Sequence, residues 1–205
     1  VMLELNCETD FVARNEDFQG IAQSILDEAM AKGVDTLEAV LDLTVKGQKV
    51  SDMLTDAMGR IGEKIAVSKY VRMSGEQLSS YIHPGAKVGV LVAFEGAAGV
   101  DLSVVGKDVS MQIAAMNPLA LDKGDLDRAI VEKEIEIAKE QMRQQGKPEA
   151  MLEKIALGML EKFYKESTLL HQEFVKDPSK TISGYLKETN PNLKIKAFKR
   201  FHLGA

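Results

Sequence analysis

The sequence predicts an α+β fold with two small subdomains, each with antiparallel strands and helices packed on one face. Three observations predict this fold: apolar residues alternate in three separate stretches, they recur every three or four residues in others, and two helical stretches meet at a Gly-Pro turn. The subdomains are expected at residues 1–116 and 117–205. A protruding antiparallel helical hairpin, at about residues 125–164, is expected to interrupt the second.

The N-terminal part of the chain predicts a strand followed by several helices. Apolar residues alternate over residues 1–7, as on a strand with one buried face. The next stretch has helical spacing, with Asn15 placed to cap its start and Gly33 placed to end it. Further helical segments are expected at residues 37–43 and 50–61.

Two more strands and a helix complete the first subdomain. Residues 65–73 and 87–94 alternate again, and the glycine-rich loop 96–99 leads into a helix that stops at Asn117-Pro118. This order predicts a β-α-β-β-α assembly in which one sheet carries helices on one face.

The second subdomain begins with the helical hairpin. One apolar seam precedes Gly146 and another follows Pro148, and charged residues cover the rest of the first arm. The hairpin is therefore expected to protrude into solvent. A helix at residues 181–188 and a strand at 193–203 follow, and residues 118–121 are expected to pair with that last strand.

Composition excludes several classes of protein. Apolar residues make up 45% of the 205 residues and charged residues 28%, as in a folded globule. The longest apolar stretch, at about residues 88–94, is too short to span a bilayer. The net charge of −5 argues against a specific nucleic-acid partner, and the basic residues of the last strand fit a solvent-facing edge better than an RNA contact.

The chain ends and its cysteine bear on its origin. The only cysteine, Cys7, cannot form an intrachain disulfide, which suits a reducing compartment. The first residue is Val1, not methionine, and it opens a strand-like pattern, so we expect a piece of a longer chain.

Signals for catalysis are weak, and no enzyme activity, cofactor or metal is expected. The three histidines are far apart and lie outside any metal-ligand spacing. Residues 99–108 approach a phosphate-loop pattern, but the spacing is wrong and Asp108 replaces the Ser or Thr that would hold magnesium.

The segment Thr9-Asp10-Phe11-Val12, called here the Thr9–Val12 segment, is expected to be a surface loop between the first strand and the first long helix. Two consecutive apolar residues in such a loop need a reason. Either Phe11 or Val12 folds back over the neighbouring helix start while an Asx-type bond from Asp10 holds the turn, or the segment offers a rigid aromatic ring to a partner.

A family resemblance favours the second interpretation. Residues 6–14, Asn-Cys-Glu-Thr-Asp-Phe-Val-Ala-Arg, resemble the signature of the elongation factor Ts family, and further motifs follow in the family's order. They are Ile61-Gly62-Glu63-Lys64-Ile65, His83-Pro84-Gly85 with Gly89-Val90-Leu91-Val92, Val131-Glu132-Lys133-Glu134, Gly146-Lys147-Pro148, and Phe174-Val175 with Pro178-Ser179-Lys180-Thr181.

The resemblance implies a translation elongation factor: a guanine nucleotide exchange factor that promotes GDP release from the GTPase elongation factor Tu. It implies that Phe11 inserts between helices of the GTPase and disturbs its magnesium site. Asp10 would make polar contacts beside the ring, while Thr9 and Val12 shape the segment. No direct nucleotide binding, no membrane and a bacterial cytoplasmic location are implied, with an organelle matrix as the alternative location.

The chain also departs from the family. The family's N-terminal three-helix domain is absent, as is the C-terminal helical extension of some members. Two alternative functions therefore stay open: a helical-hairpin scaffold or ribosome-associated binding protein without exchange activity, and a nucleotide-using enzyme built around residues 96–107.

Overall fold

The computed structural model describes residues 1–204 and confirms the α+β fold. Its helices are α1 (Asp10–Ala13), α2 (Glu16–Lys32), α3 (Leu37–Leu41), α4 (Val50–Ile61), α5 (Leu102–Met116), α6 (Arg128–Gln144), α7 (Glu149–Ser167) and α8 (Ile182–Thr189). Its strands are β1 (Met2–Asn6), β2 (Thr44–Val45), β3 (Gln48–Lys49), β4 (Ala66–Val71), β5 (Gln77–Ile82), β6 (Val88–Glu95), β7 (Glu173–Phe174), β8 (Asp177–Thr181) and β9 (Lys194–His202).

Helix α2 begins and ends at the residues that the sequence predicted. The side-chain oxygen of Asn15 accepts hydrogen bonds from amides of the first turn, and Gly33 ends the helix with φ of 64°. The buried face of α2, with Phe18, Ile25 and Ala29, belongs to a first cluster of buried side chains drawn from residues 18–67.

The first cluster packs beside two small antiparallel sheets. Strand β1 pairs with β4, from Met2 opposite Val71 to Asn6 opposite Ala66. Strands β2 and β3 form a tight hairpin whose turn residues, Lys46 and Gly47, both have positive φ. The sequence indicated a break at these two residues but not the strands, because two residues are too few to show a period.

A three-stranded sheet, in the order β5-β6-β9, carries the second cluster of buried side chains, drawn from residues 90–195. Strand β5 was expected to be a connection, because Ser79 and Ser80 weaken its apolar alternation. The predicted single sheet in the first half is wrong, since β4 pairs with β1 while β6 pairs with β5.

The predicted pairing of residues 118–121 with the last strand is also wrong. Strand β9 pairs antiparallel with β6, which is buried along most of its length. Residue Ala120 instead forms a parallel bridge with Thr168, beside a 2.8 Å hydrogen bond from Leu119 N–H to the carbonyl of Ser167. The predicted division of the chain at residues 116/117 stays a prediction.

Helix α5 covers one face of this sheet and lies very close to β5. A Cβ atom at Gly106 would lie 2.9 Å from the Cβ of Ser79, so the absence of a side chain permits the contact. Asp101 caps the start of α5, and Asn117 ends the helix in the left-handed region with φ of 45°.

Helices α6 and α7 confirm the predicted helical hairpin. They turn at Gly146, with φ of 74°, and their facing sides bury Ala138 and Met142 of α6 and Leu152, Ala156 and Leu160 of α7. Two ion pairs join the arms, from Lys139 to Glu153 at 2.7 Å and from Arg143 to Glu149 at 2.8 Å. At 1.5 Å per residue each arm is roughly 25–30 Å long.

None of the helices within residues 1–204 is long and apolar enough to cross a membrane.

Candidate partner-binding site

The Thr9–Val12 segment is not a loop, as the sequence predicted, but part of the one-turn helix α1. Thr9 is the N-cap residue: its Oγ1 accepts a hydrogen bond from the N–H of Val12 at 3.4 Å, and its carbonyl accepts from Ala13. Asp10 follows in the first turn, where a carboxylate is favoured. A single turn is too short to show helical periodicity, so the sequence pattern could not reveal it.

The two apolar residues of the segment have opposite environments. Phe11 is 82% exposed, the highest value among the large apolar side chains within residues 1–204. Val12 is half-buried and packs against the first cluster. Folding back therefore describes Val12, while the aromatic ring of Phe11 faces solvent.

Glu63 fixes the start of the segment from a distant part of the chain. Its carboxylate accepts the backbone N–H groups of Glu8 and Thr9, each at 3.0 Å, and the hydroxyl of Thr9. These bonds, above all the one from the Thr9 hydroxyl, lower the pKa of Glu63 below its ordinary value of 4.5. Glu63 directly follows Gly62, which ends α4, so the segment is tied to the end of that helix.

The other end of the segment is also held. Asn15 donates its backbone N–H to the carbonyl of Val12 at 2.9 Å, and the side chain of Gln19 donates to the carbonyl of Ala13 at 3.1 Å. On the strand side, the thiol of Cys7 lies 3.3 Å from the carbonyl of Thr9, and burial raises the pKa of that thiol. Phe11 is therefore mounted on backbone that is fixed at both ends.

Asp10 points into solvent next to Phe11. Its carboxylate forms a 3.0 Å ion pair with Arg14, and both side chains are largely exposed. Such a surface pair contributes at most about 1 kcal/mol, so Asp10 can exchange Arg14 for a group on a partner at little cost. The Asx-type bond considered for Asp10 is replaced by the Thr9 cap.

Glu63 is the site residue that sequence reasoning missed. It stands in the Ile61-Gly62-Glu63 motif that carries part of the family resemblance, so the signal was present. Its role became visible only when folding brought it to Thr9, which lies 54 positions earlier in the chain.

The stretch that approaches a phosphate-loop pattern makes structural contacts. Asp108 is buried, and its carboxylate accepts hydrogen bonds from Lys176, at 2.5 Å, and from the hydroxyl of Tyr185, at 2.9 Å. Burial, followed by the bond to Asp108, raises the pKa of Tyr185 to about 12. Within residues 1–204 no group of three or more His, Cys, Asp or Glu side chains is arranged to hold a metal ion.

Comparison with known proteins agrees with the motifs around this site. The Elongation factor TS family matches residues 8–205. The chain is 48% identical over 204 residues to Elongation factor Ts of Amoebophilus asiaticus, with 100% of this chain and 74% of the relative covered. The chain belongs to the elongation factor Ts family.

Two further relatives give the same result. Elongation factor Ts of Cytophaga hutchinsonii is 50% identical over 203 residues, which cover 98% of this chain and 73% of the relative. That of Christiangramia forsetii is 43% identical over 209 residues, with 100% and 73% covered. Membership of the elongation factor Ts family implies a role in nucleotide exchange on elongation factor Tu.

Proposed function

We propose that the chain is a guanine nucleotide exchange factor that promotes GDP release from elongation factor Tu by inserting the Thr9–Val12 segment and displacing the magnesium ion of the GTPase. The observation that carries this proposal is the exposed ring of Phe11 on a turn fixed by hydrogen bonds from both sides. An exposed aromatic ring on rigid backbone is the usual anchor of a protein–protein contact.

The rigidity of the segment favours its insertion into a partner. Glu63 and Thr9 hold the backbone before any partner arrives, so little conformational entropy is lost on binding. Burying the Phe11 ring then supplies about 1.5–3 kcal/mol. Asp10, which lies beside the ring, provides the polar contact at the rim.

The proposed chemistry is displacement, without bond making. In a GTPase, magnesium bridges nucleotide phosphates and protein oxygens, so moving its ligands removes a large local charge interaction. Each tenfold loss of nucleotide affinity requires about 1.4 kcal/mol, so burial of Phe11 alone accounts for roughly a hundredfold at most. We propose that the second α+β subdomain provides the further contact surface.

Linkage fixes the direction of the effect. If the factor weakens GDP or GTP binding, each nucleotide weakens binding of the factor equally. The factor therefore accelerates exchange without choosing its direction, and the cellular nucleotide ratio decides which nucleotide is loaded. In this proposal the chain acts in the bacterial cytoplasm, as its bacterial relatives suggest, and binds neither the nucleotide nor a specific nucleic acid itself.

Stopped-flow release of labelled GDP from elongation factor Tu tests the proposal. The chain is expected to accelerate release at substoichiometric amounts, and Phe11→Ala is expected to reduce the stimulated rate at least tenfold with an unchanged circular dichroism melt. Met30→Ala, which removes an exposed apolar side chain from α2, is the matched control and is expected to leave the rate unchanged.

The same measurement separates the alternatives. Equal stimulation by Phe11→Ala and the unsubstituted chain would reject the insertion of this ring. Binding to the GTPase without any acceleration would indicate a scaffold protein, and binding of GDP by this chain alone would indicate a nucleotide-using enzyme.

A further inference from the structure

Strand β5 forms one edge of the three-stranded sheet, and its outer side is unpaired within residues 1–204. The hydrogen bond from His83 N–H to the carbonyl of Val88, at 2.9 Å, sets which residues bond to β6. Counting back along the antiparallel register, the N–H and C=O groups of Leu78, Ser80 and Ile82 point away from β6. These groups form a template for a further strand.

The edge of β5 lacks the features that usually prevent strand addition. Residues 77–82 contain no charged residue and no proline, and their register with β6 has no irregularity. The opposite edge, β9, carries Lys194, Lys196 and Lys199 and a register shift against β6. Lysines and bulges are the common protection of sheet edges, so the two edges of one sheet differ sharply.

Apolar side chains flank the free backbone groups of β5. Leu78 is 45% exposed and Ile82 is 60% exposed, with the small Ser80 between them on the same face of the strand. On the other face, Ser79 and Tyr81 are half-buried against α5 and the second cluster. An open edge with exposed apolar side chains at both ends is the surface that an added strand covers.

We propose that the β5 edge pairs antiparallel with the β5 edge of a second copy of this chain, about a two-fold axis at Ser80. In this register Leu78 lies opposite Ile82 of the second copy, and Ser80 lies opposite its own equivalent. Each of these pairs exchanges both backbone hydrogen bonds. The sheet then continues across the dimer as β9-β6-β5-β5-β6-β9.

The residue pattern favours a second copy over an unrelated strand. About Ser80 the strand is close to symmetric: large apolar residues stand two positions away on each side, and Ser79 faces Tyr81 on the other face. No like charges meet across the axis, and apolar cross-strand pairs are stabilising. An isologous contact of this kind closes on itself and ends at a dimer.

The surroundings of β5 leave room for the added strand. A groove of about 580 Å³ runs between the strand and the start of α5, where Asp101, Leu102, Ser103 and Lys107 line it. Asp101 and Lys107 carry opposite charges, so two copies do not meet with fields of a single sign. The Thr9–Val12 segment belongs to α1 and takes no part in this edge, so the proposal is independent of the proposed function.

Sedimentation velocity of the chain from about 10 μM to 1 mM tests the dimer. The mass is expected to rise from 22.5 kDa toward twice that value. Ser80→Lys places two ammonium groups opposite each other, so the dissociation constant is expected to rise at least tenfold. Thr44→Lys adds the same charge to an exposed residue of β2 and is expected to change nothing. A monomer at every concentration, or a dimer indifferent to Ser80→Lys, overturns the proposal.

Cross-linking tests the register. In a Cys7→Ser background, Ser80→Cys is expected to form an intermolecular disulfide under mild oxidation, because residues opposite each other have Cα atoms about 5.5 Å apart, within the range for a disulfide. Leu78→Cys alone faces Ile82 of the other copy and is expected to cross-link at least tenfold less. A mixture of Leu78→Cys and Ile82→Cys chains is expected to cross-link again. Equal trapping of Ser80→Cys and Leu78→Cys, or trapping of neither, contradicts this pairing.

Discussion

The carboxylate of Glu63 accepts the backbone N–H of Thr9 at 3.0 Å and the hydroxyl proton of the same residue. The carboxylate thus stands against the N-terminus of the one-turn helix α1, and the helix carries Phe11 two residues further on. A four-residue helix has no stability of its own in water. The orientation of Phe11 therefore depends on contacts that α1 makes with the rest of the fold.

Thr9→Val tests the hydroxyl at the centre of this contact. Valine has nearly the same shape but neither caps α1 nor donates to Glu63, so the N-cap contribution of about 1 kcal/mol is lost. The variant is expected to lower stimulated GDP release several-fold and to speed hydrogen exchange at the amides of α1. Thr9→Ser keeps the hydroxyl and is expected to retain most of the rate. If serine and valine behave alike, the hydroxyl has no role.

The lowered pKa of Glu63 predicts how the segment responds to acid. A carboxyl whose pKa is depressed in the fold contributes stability above its unfolded value, here 4.5, and loses it as pH falls through the lower folded pKa. Amide protection at Glu8 and Thr9 is therefore expected to be constant from pH 7 to about pH 5 and to fall below 4.5. NMR titration of the Glu63 carboxyl measures this directly. A midpoint at or above 4.5 would contradict the bonding described for this residue.

The helical hairpin is predicted to serve association and not magnesium displacement. Replacing its outer part, residues 131–160, by a short linker removes both inter-arm ion pairs but keeps the ion pair between Lys123 and Glu161 at the base. The half-saturating concentration in GDP-release assays is expected to rise, with the maximal rate retained. Loss of exchange at a saturating concentration of the shortened chain is the outcome that this prediction excludes.

Two helical glycines give a matched test of packing. Gly106→Ala places a methyl group against Ser79, at 2.9 Å before relaxation, and is expected to destabilise the fold by about 1–3 kcal/mol. Gly158→Ala, in α7, meets nothing within 4 Å and is expected to stabilise the fold by up to about 1 kcal/mol. Thermal unfolding of the two variants measures the difference. A similar melting temperature for both would show that the α5–β5 contact tolerates a side chain.

Sequence reasoning predicted the helices well, because their boundaries depend on local chemistry. Asn15, Gly33 and Asn117 act through their own turns, so the sequence identifies them without knowledge of the fold. The strands were harder. Strand β5 is polar on alternate positions, and the partner of β9 lies more than about one hundred residues earlier, a distance that no local pattern reports.

The candidate site shows the same division. The sequence identified Phe11 as unusual, because an apolar pair beside a helix start is a local observation. It could not assign the exposed and half-buried environments to Phe11 and Val12, which depend on the direction of one short turn. Glu63 reaches Thr9 only through the pairing of β1 with β4, so its part in the site required the tertiary structure.

The pairing of β6 with β9 has a consequence during synthesis of the chain. Closing a loop of this length costs entropy, and contacts distant in sequence form late. The first cluster uses only residues 18–67, so it can form while the ribosome is still translating the remainder. Strand β6, apolar and without one of its neighbours, must then wait for β9 to emerge. This interval is the time at which the nascent chain most needs a chaperone.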